Sequence, residues 1–227
     1  MFELKQVTKV YPLDGVASVT AVREVSLSVE RGEFMVITGR SGSGKTTVLN
    51  LMAGLTRPTA GRVEVDGADL WSMTDREQSA MRNWRIGFVF QFPSLLPSLT
   101  ALENVLLPLM FKGGVERGEG AEQAMKLLEM VGLADKVAAL PRQLSAGQQQ
   151  RVVIARSLIN EPEVLVADEP TSNLDEETER EIMATFEKAH SQRGVTVVMV
   201  THTQYVGTRG TRRVEMAEGR VVKETRG

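Results

Sequence analysis

The chain has 227 residues, 25% of them charged and 42% apolar, with a formal net charge of −2. That length accommodates one large α/β domain or a core with an inserted lobe, and the composition is that of an ordinary globular protein. The near-neutral balance lacks the basic footprint of a nucleic-acid binder, and the absence of cysteine excludes disulfides and thiolate metal sites.

At the N-terminus, Met1-Phe2-Glu3-Leu4-Lys5 lacks the charged-then-apolar layout of a signal peptide. Phe2 to Val7 and Val22 to Val29 carry the two-residue period of half-buried strands, with Val25, Leu27 and Val29 alternating with Ser26 and Ser28. Between them, Tyr11-Pro12-Leu13-Asp14-Gly15 reads as a loop. An apolar strand, Phe34 to Thr38, then runs into Gly39-Arg40-Ser41-Gly42-Ser43-Gly44-Lys45-Thr46-Thr47, which fits the phosphate-loop pattern G-x-x-x-x-G-K-[ST]. Its glycines let backbone N–H groups turn inward, and a helix opening at Lys45 points its positive end at the same spot, so the two make an anion cradle. Lys45 is expected to add a point charge at the β- and γ-phosphates, and the Thr46 hydroxyl to take one position on Mg²⁺.

The phosphate-loop helix is expected to reach about Ala53 and stop at Gly54. Arg62 to Val65 followed by Asp66-Gly67 reads as a strand entering a tight turn, and Thr74-x-x-Glu77 as a capping box opening a helix to about Asn83. A strand, Ile86 to Phe90, ends on Gln91. The apolar stretch Phe92 to Leu99 contains Pro93 and Pro97, which forbid a regular helix or a central strand. Helical character follows over Ala101 to Phe111, Glu119 to Val131 and Ala134 to Leu140, with Lys112 to Gly118 as a flexible link. The longest apolar run, Val105 to Phe111, is seven residues and contains Pro108, against the ~18–20 that a membrane helix needs. A cytosolic chain results, held at a membrane only through a partner.

Val164 to Ala167 reads as a strand buried on both faces and tipped by Asp168-Glu169. A helix from about Glu176 to His190 and a second buried strand, Thr196 to Thr201 with His202 at its end, come next. Arg213 to Ala217, Glu218-Gly219 and Arg220 to Glu224 read as a closing hairpin. Ligands of open α/β sheets bind beyond the carboxyl ends of the strands, where Gln91, Asp168, Glu169, His202 and the phosphate loop all fall. There Asp168 is suited to hold Mg²⁺ through its water shell, and Glu169 to polarise an attacking water. Taken alone, such a carboxylate pair more often caps the following helix. His190 is assigned to the dipole of its helix C-terminus.

Leu144-Ser145-Ala146-Gly147-Gln148-Gln149-Gln150-Arg151 opens a helix with Ser145 as its N-cap. With the phosphate loop, this stretch resembles the signature sequence of ATP-binding cassette (ABC) ATPases, and the likeness extends in order from Tyr11 to beyond His202. It implies an α/β fold: an ABC-type phosphate-loop core with an antiparallel β subdomain (1–90 and 161–227) and an inserted α-helical signature lobe (91–160), together one cassette over 1–227. It implies ATP and Mg²⁺ as ligands. Tyr11 would stack on adenine, residues 39–47 would bind the phosphates, and Thr46, Gln91 and Asp168 would serve the metal. Glu169 would be the general base, Gln91 would sense metal and attacking water, and His202 would contact the γ-phosphate. Ser172-Asn173-Leu174-Asp175 resembles the loop that communicates across a head-to-tail dimer, in which Ser145, Gly147 and Gln148 would complete the partner's site. Ala146, in place of a common glycine, and Thr203, in place of an acidic or amide residue, depart from the pattern.

A closer likeness, carried by Gly87 to Gln91, Leu95 to Ala101, Glu103 to Val105, Leu107 to Leu109 and Gln148 to Arg151, is to the subgroup serving lipoprotein release, macrolide export and bacterial cell division. It implies a separate permease that transmits motion across the membrane, with Phe92 to Leu99 as the candidate docking surface and the cassette peripheral on the inner face of the cell membrane. Two other functions compete. A soluble ABC switch usually carries coiled-coil insertions or paired cassettes, which are not seen, and a GTPase or small-molecule kinase leaves Leu144 to Gln148 unexplained.

Overall fold

The computed structural model describes residues 1–13, 16–111, 117–172 and 174–226. In chain order these form β1 (Phe2–Leu13), β2 (Val16–Val29), β3 (Phe34–Thr38), α1 (Lys45–Met52), β4 (Ala60–Val65), β5 (Ala68–Asp69), α2 (Asp75–Arg85) and β6 (Ile86–Val89). There follow α3 (Ala101–Leu106), α4 (Arg117–Met130), α5 (Ala146–Leu158), β7 (Val164–Asp168) and α6 (Glu176–Arg193). The last elements are β8 (Thr196–Thr201), α7 (Gln204–Gly207), β9 (Arg212–Ala217) and β10 (Arg220–Arg226). By contacts the chain divides into two compact units, one of Met1–Arg82 with Thr196–Gly227 and one of Asn83–Val195.

In the first unit an antiparallel sheet runs β2-β1-β4-β5. Its inner face is Phe2, Leu4, Val7, Val22, Val25, Leu27, Val29, Val63 and Val65, all buried; the two-residue period holds within Phe2–Leu4, Val25–Val29 and Val63–Val65 and breaks before Val7 and after Val22, where the β1–β2 register shifts. The second layer places β3 between β8 and β9, parallel to both, with β10 antiparallel on the outside of β9. Phe34 to Thr38 and Thr196 to Thr201 are buried throughout, which is why both strands are unbroken apolar or threonine runs. Two tight turns share one geometry. Asp66 (φ 48°) and Gly67 (φ 83°) link β4 to β5, and Glu218 (φ 50°) and Gly219 (φ 77°) link β9 to β10. Consecutive left-handed residues of this kind make the two-residue turn whose twist matches the strands.

The loop expected from Tyr11 is instead strand: the hairpin ladder continues through Tyr11 opposite Val19 and Leu13 opposite Val16, while Asp14 and Gly15 lie outside the described residues. β-Branched Val19 and Thr20 favour that extension. Pro12 is tolerated because the other edge of β1 pairs with β4 only as far as Thr8.

In the second unit β6 lies parallel to β7, with Val89 opposite Ala167. α5 is its central helix, burying Val152, Val153, Ile154, Ala155 and Leu158. Ala124, Leu127 and Leu128 of α4 and Ile182, Met183 and Phe186 of α6 are buried as well. The helix expected over Ala101 to Phe111 stops at Leu106 and tightens into a 3-10 turn, Leu107–Phe111, because Pro108 lacks the N–H that would continue it. Of the link Lys112 to Gly118, residues 112–116 lie outside the described residues, and α4 already includes Arg117 and Gly118. Ala134 to Leu140 is not a continuous helix: only Ala134–Lys136 forms a 3-10 turn. The carbonyls of Val137 and Ala139 are taken by the amides of Leu102 and Ala101, the unsatisfied first turn of α3, and so are lost to a local helix. Among the described residues no helix is long and apolar enough to cross a membrane.

Candidate active site

In the first unit lie Tyr11, residues 39–47 and His202. The register of β3 on β8 sets Thr38 opposite Thr201, so the phosphate loop and His202 leave the same edge of the layer. The loop fits closely among other backbones. A Cβ at Gly39 (φ 151°) would lie 2.3 Å from the Met216 carbonyl oxygen, and one at Gly44 (φ 97°) would lie 2.3 Å from that of Ala21. Only glycine satisfies both the conformation and the approach. Arg40 accepts from the Ser43 amide at 3.1 Å, which closes the turn. Arg40, Ser41 and Gly42 form the exposed rim; Thr46 is exposed and Thr47 half-buried in the first turn of α1.

Lys45 decides the charge of this site. It is 5% exposed, and its Nζ donates to the carbonyls of Gly39 at 2.9 Å and Arg40 at 3.1 Å, with no carboxylate paired to it among the described residues. A buried ammonium is costly without a counter-charge. The buried Ser43 Oγ likewise has no hydrogen-bond partner. A cation, an orphaned hydroxyl and a glycine cradle together suit a phosphate group. Tyr11 is half-buried on β1, with Lys9 Nζ 5.0 Å from its ring centroid. His202 is exposed, and Thr203 beyond it donates its amide to Thr201 Oγ1 at 3.1 Å.

In the second unit the β6–β7 register brings Gln91 and the Asp168-Glu169 pair to one edge. Asp168 ends β7, and Glu169 follows in the left-handed region at φ 45°. A bulky side chain held there marks local strain of the kind that collects at functional positions. The Ser172 amide donates to the Glu169 carbonyl at 3.1 Å, and the Ser172 hydroxyl donates to Glu169 Oε2 at 3.0 Å, so the carboxylate is oriented by a residue one turn away. Within Ser172 to Asp175, Asn173 lies outside the described residues. Asp175 caps α6, accepting from the Thr178 amide at 2.9 Å and hydroxyl at 2.7 Å, bonds that hold its carboxyl below the usual range.

At the start of α5, Ser145 Oγ accepts from the Gln148 amide at 3.2 Å, and Gln148 Oε1 accepts from the Ser145 amide at 3.0 Å. Gly147 is buried against α6, and Ala146 is exposed in the first turn. Gln150 donates to the Phe90 carbonyl at 3.0 Å, and Arg156 donates to the carbonyl and hydroxyl of Ser94 at 2.7 and 3.0 Å. Burial lowers the Arg156 pKa. Buried Asn104 accepts from the Leu96 amide at 2.8 Å and donates to the carbonyls of Leu96, Leu99 and Thr100. Sequence reading includes Asn104, Gln150 and Ser172 only as members of family stretches, without these bonds, and passes over Arg156. Only Ser172 carries a local signal, its three-residue spacing from Glu169.

Residues 22–172 match the family described as ABC transporter. The chain is 43% identical over 221 residues to the lipoprotein-releasing system ATP-binding protein LolD 1 of Chlorobium chlorochromatii, covering 97% of this chain and 90% of that protein. It is 44% identical over 226 residues to the macrolide export ATP-binding/permease protein MacB of Syntrophobacter fumaroxidans, covering 99% of this chain and 32% of that longer one. A solved dimeric ATP-binding cassette in a post-hydrolysis state, bound to ADP and Pi, superposes with a TM-score of 0.91 at 43% identity, covering 100% of this chain and 98% of that one. The chain therefore belongs to the ABC transporter family, as a cassette that binds and hydrolyses ATP.

Proposed function

We propose that this cassette is the motor of a complex of the lipoprotein-release or macrolide-export kind, driving a separate permease from the inner face of the membrane. The observation that carries the ATP-driven part is the buried Lys45 ammonium, turned onto its own loop carbonyls and lacking a paired carboxylate among the described residues. An incoming triphosphate supplies the missing anion. The amides of residues 39–47 cradle its phosphates, Lys45 transfers from the carbonyls to the β- and γ-oxygens, and Tyr11 stacks on the adenine. The Thr46 hydroxyl, the Asp168 carboxylate and the Gln91 amide offer the hard oxygen donors that Mg²⁺ takes beside phosphates, where it neutralises developing charge. Glu169, aimed by Ser172, takes a proton from the attacking water; His202 faces the γ-phosphate.

Ser145, Gly147 and Gln148 of a second copy close over the same nucleotide, so the competent species is a homodimer. The permease docks on Phe92 to Leu99. In support, Phe92 is 69% and Leu96 43% exposed, while the backbone beneath them is pinned by Asn104 and Arg156, a rigid platform with an apolar top. Replacing Glu169 by Gln tests the whole reading. Hydrolysis should fall about 10²- to 10⁴-fold with ATP binding kept. The ATP-held dimer, taken from detergent-solubilised membranes of the source cell, should carry one permease with few membrane helices, identified by mass spectrometry. A many-helix channel rejects the subgroup. No membrane partner, with the dimer intact, leaves a soluble ABC switch.

A further inference from the structure

We infer that the Glu218–Gly219 turn of the C-terminal hairpin is the back wall of the phosphate loop and sets its affinity for ATP, with Gly219 as a positioning residue. This rests on the reading that residues 39–47 bind the phosphates. Three backbones meet here. The Gly219 amide donates to the Ser43 carbonyl at 3.1 Å, and the Gly219 carbonyl accepts from the Arg23 amide at 2.8 Å. A Cβ built on Gly44 would lie 2.3 Å from the Ala21 oxygen and 3.5 Å from Gly219 Cα, and one on Gly219 would lie 2.9 Å from the same oxygen. On β9, just before the turn, the Met216 oxygen fills the space beside Gly39. Gly42 of the loop and Gly219 of the turn line one hollow of ≈ 360 Å³ with Thr20, Arg23, Glu218 and Arg220. The loop is therefore gripped by β2 and by the β9–β10 turn through backbone atoms. Because the cradle works by aiming amides, a shift of a few tenths of an ångström in Ser43 misdirects the N–H groups on either side of it.

The molecule supplies its own control. Asp66-Gly67 is the same kind of turn, with Gly67 at φ 83°, but a Cβ there meets nothing within 4 Å. Gly219→Ala and Gly67→Ala thus impose the same backbone strain, and only the first presses on β2 and the phosphate loop. The dissociation constant of the full chain for MgATP, measured by titration calorimetry, is expected to rise about tenfold in Gly219→Ala and to stay within about twofold of the parent in Gly67→Ala. In steady state, KM should rise in step with it while kcat at saturation stays within about twofold. An unchanged dissociation constant in Gly219→Ala, or an equal rise in both variants, overturns the inference. Should Gly219→Ala fail to fold, Gly219→Asn keeps the crowding while tolerating the left-handed backbone, and the same rise is expected. Exchange of the wild-type Gly219 amide should also slow when MgATP binds, and exchange indifferent to MgATP contradicts the proposed contact. A wild-type chain that binds no MgATP, or a Lys45→Ala variant that binds it as well as the parent, brings down the phosphate-loop reading and this inference together.

Discussion

Adding a Cβ to Gly147 would bring it within 2.2 Å of Thr178 Cγ2, so the glycine of the signature stretch is required by packing inside its own chain, besides any role toward a partner. Helix propensity favours alanine by up to ~1 kcal/mol, less in a first turn, and crowding of a packed site costs roughly 1–3 kcal/mol, so the clash wins. Gly147→Ala should therefore lose stability by about that margin in urea denaturation. Thr178→Ser, which deletes Cγ2 and keeps the hydroxyl that bonds Asp175, should restore most of it in the double variant. Failure of that rescue would show that the loss arises elsewhere. Asn104 presents a second case. Its amide makes four hydrogen bonds to the backbone of residues 96–100, and Asn104→Ala leaves those groups unpaired at a cost of roughly 1–3 kcal/mol, with faster exchange at the Leu96 amide as the local signature. Neither reason is legible around the residue itself, since Thr178 lies on another helix and an asparagine within α3 reads as an ordinary polar position.

At the scale of elements, the helix starts are the most readable features, because a cap is a local exchange of hydrogen bonds. Thr74 with Glu77 forms the reciprocal pair that the spacing foretells, at 2.8 and 3.3 Å, and the structure adds a second such pair, Thr100 with Glu103, at 2.7 and 3.2 Å. These bonds hold both glutamates below the usual range: Glu77 chiefly through the Thr74 hydroxyl, and Glu103 chiefly through the Thr100 amide. A carboxyl lowered in the fold binds its proton more readily in the unfolded chain. Its stabilisation is therefore present above the unfolded value of about 4.3 and is lost as the pH falls through the lower folded value. The parent's denaturation midpoint should drop below that pH. Glu103→Gln, which stands in for the protonated carboxyl, should lower the midpoint at pH 7 and converge on the parent as the pH falls through the lowered folded value; a constant offset at high and low pH would mean that the cap does not titrate. Where hydrogen bonds come from a distance, local reading fails: the carbonyls of Val137 and Ala139 serve α3, and the expected helix over Ala134 to Leu140 gives way.

At the scale of the whole molecule, Ser145, Gly147 and Gln148 are proposed to act on a second copy's nucleotide. Specific ATPase activity should then rise with chain concentration and fall on dilution over about a hundredfold range, as mass action requires of a site shared between copies. Activity independent of dilution would assign the signature residues to their own chain. The sequence by itself determined what depends on neighbours along the chain. It specified the phosphate loop between an apolar strand and a helix, the buried runs of β3, β7 and β8, the capped starts of α2 and α5, and the carboxylates at the tip of β7. Each follows from periodicity, turn chemistry or a fixed spacing, which act over a few residues. Only the tertiary structure decided what grips those parts: the Gly219 amide on Ser43, the Ala21 oxygen against Gly44, Arg156 on Ser94 and Thr178 against Gly147. These contacts join segments distant along the chain through backbone atoms and single side chains. Every residue except proline carries the same amide and carbonyl, so the choice among them is made by packing and leaves no mark in the order of side chains.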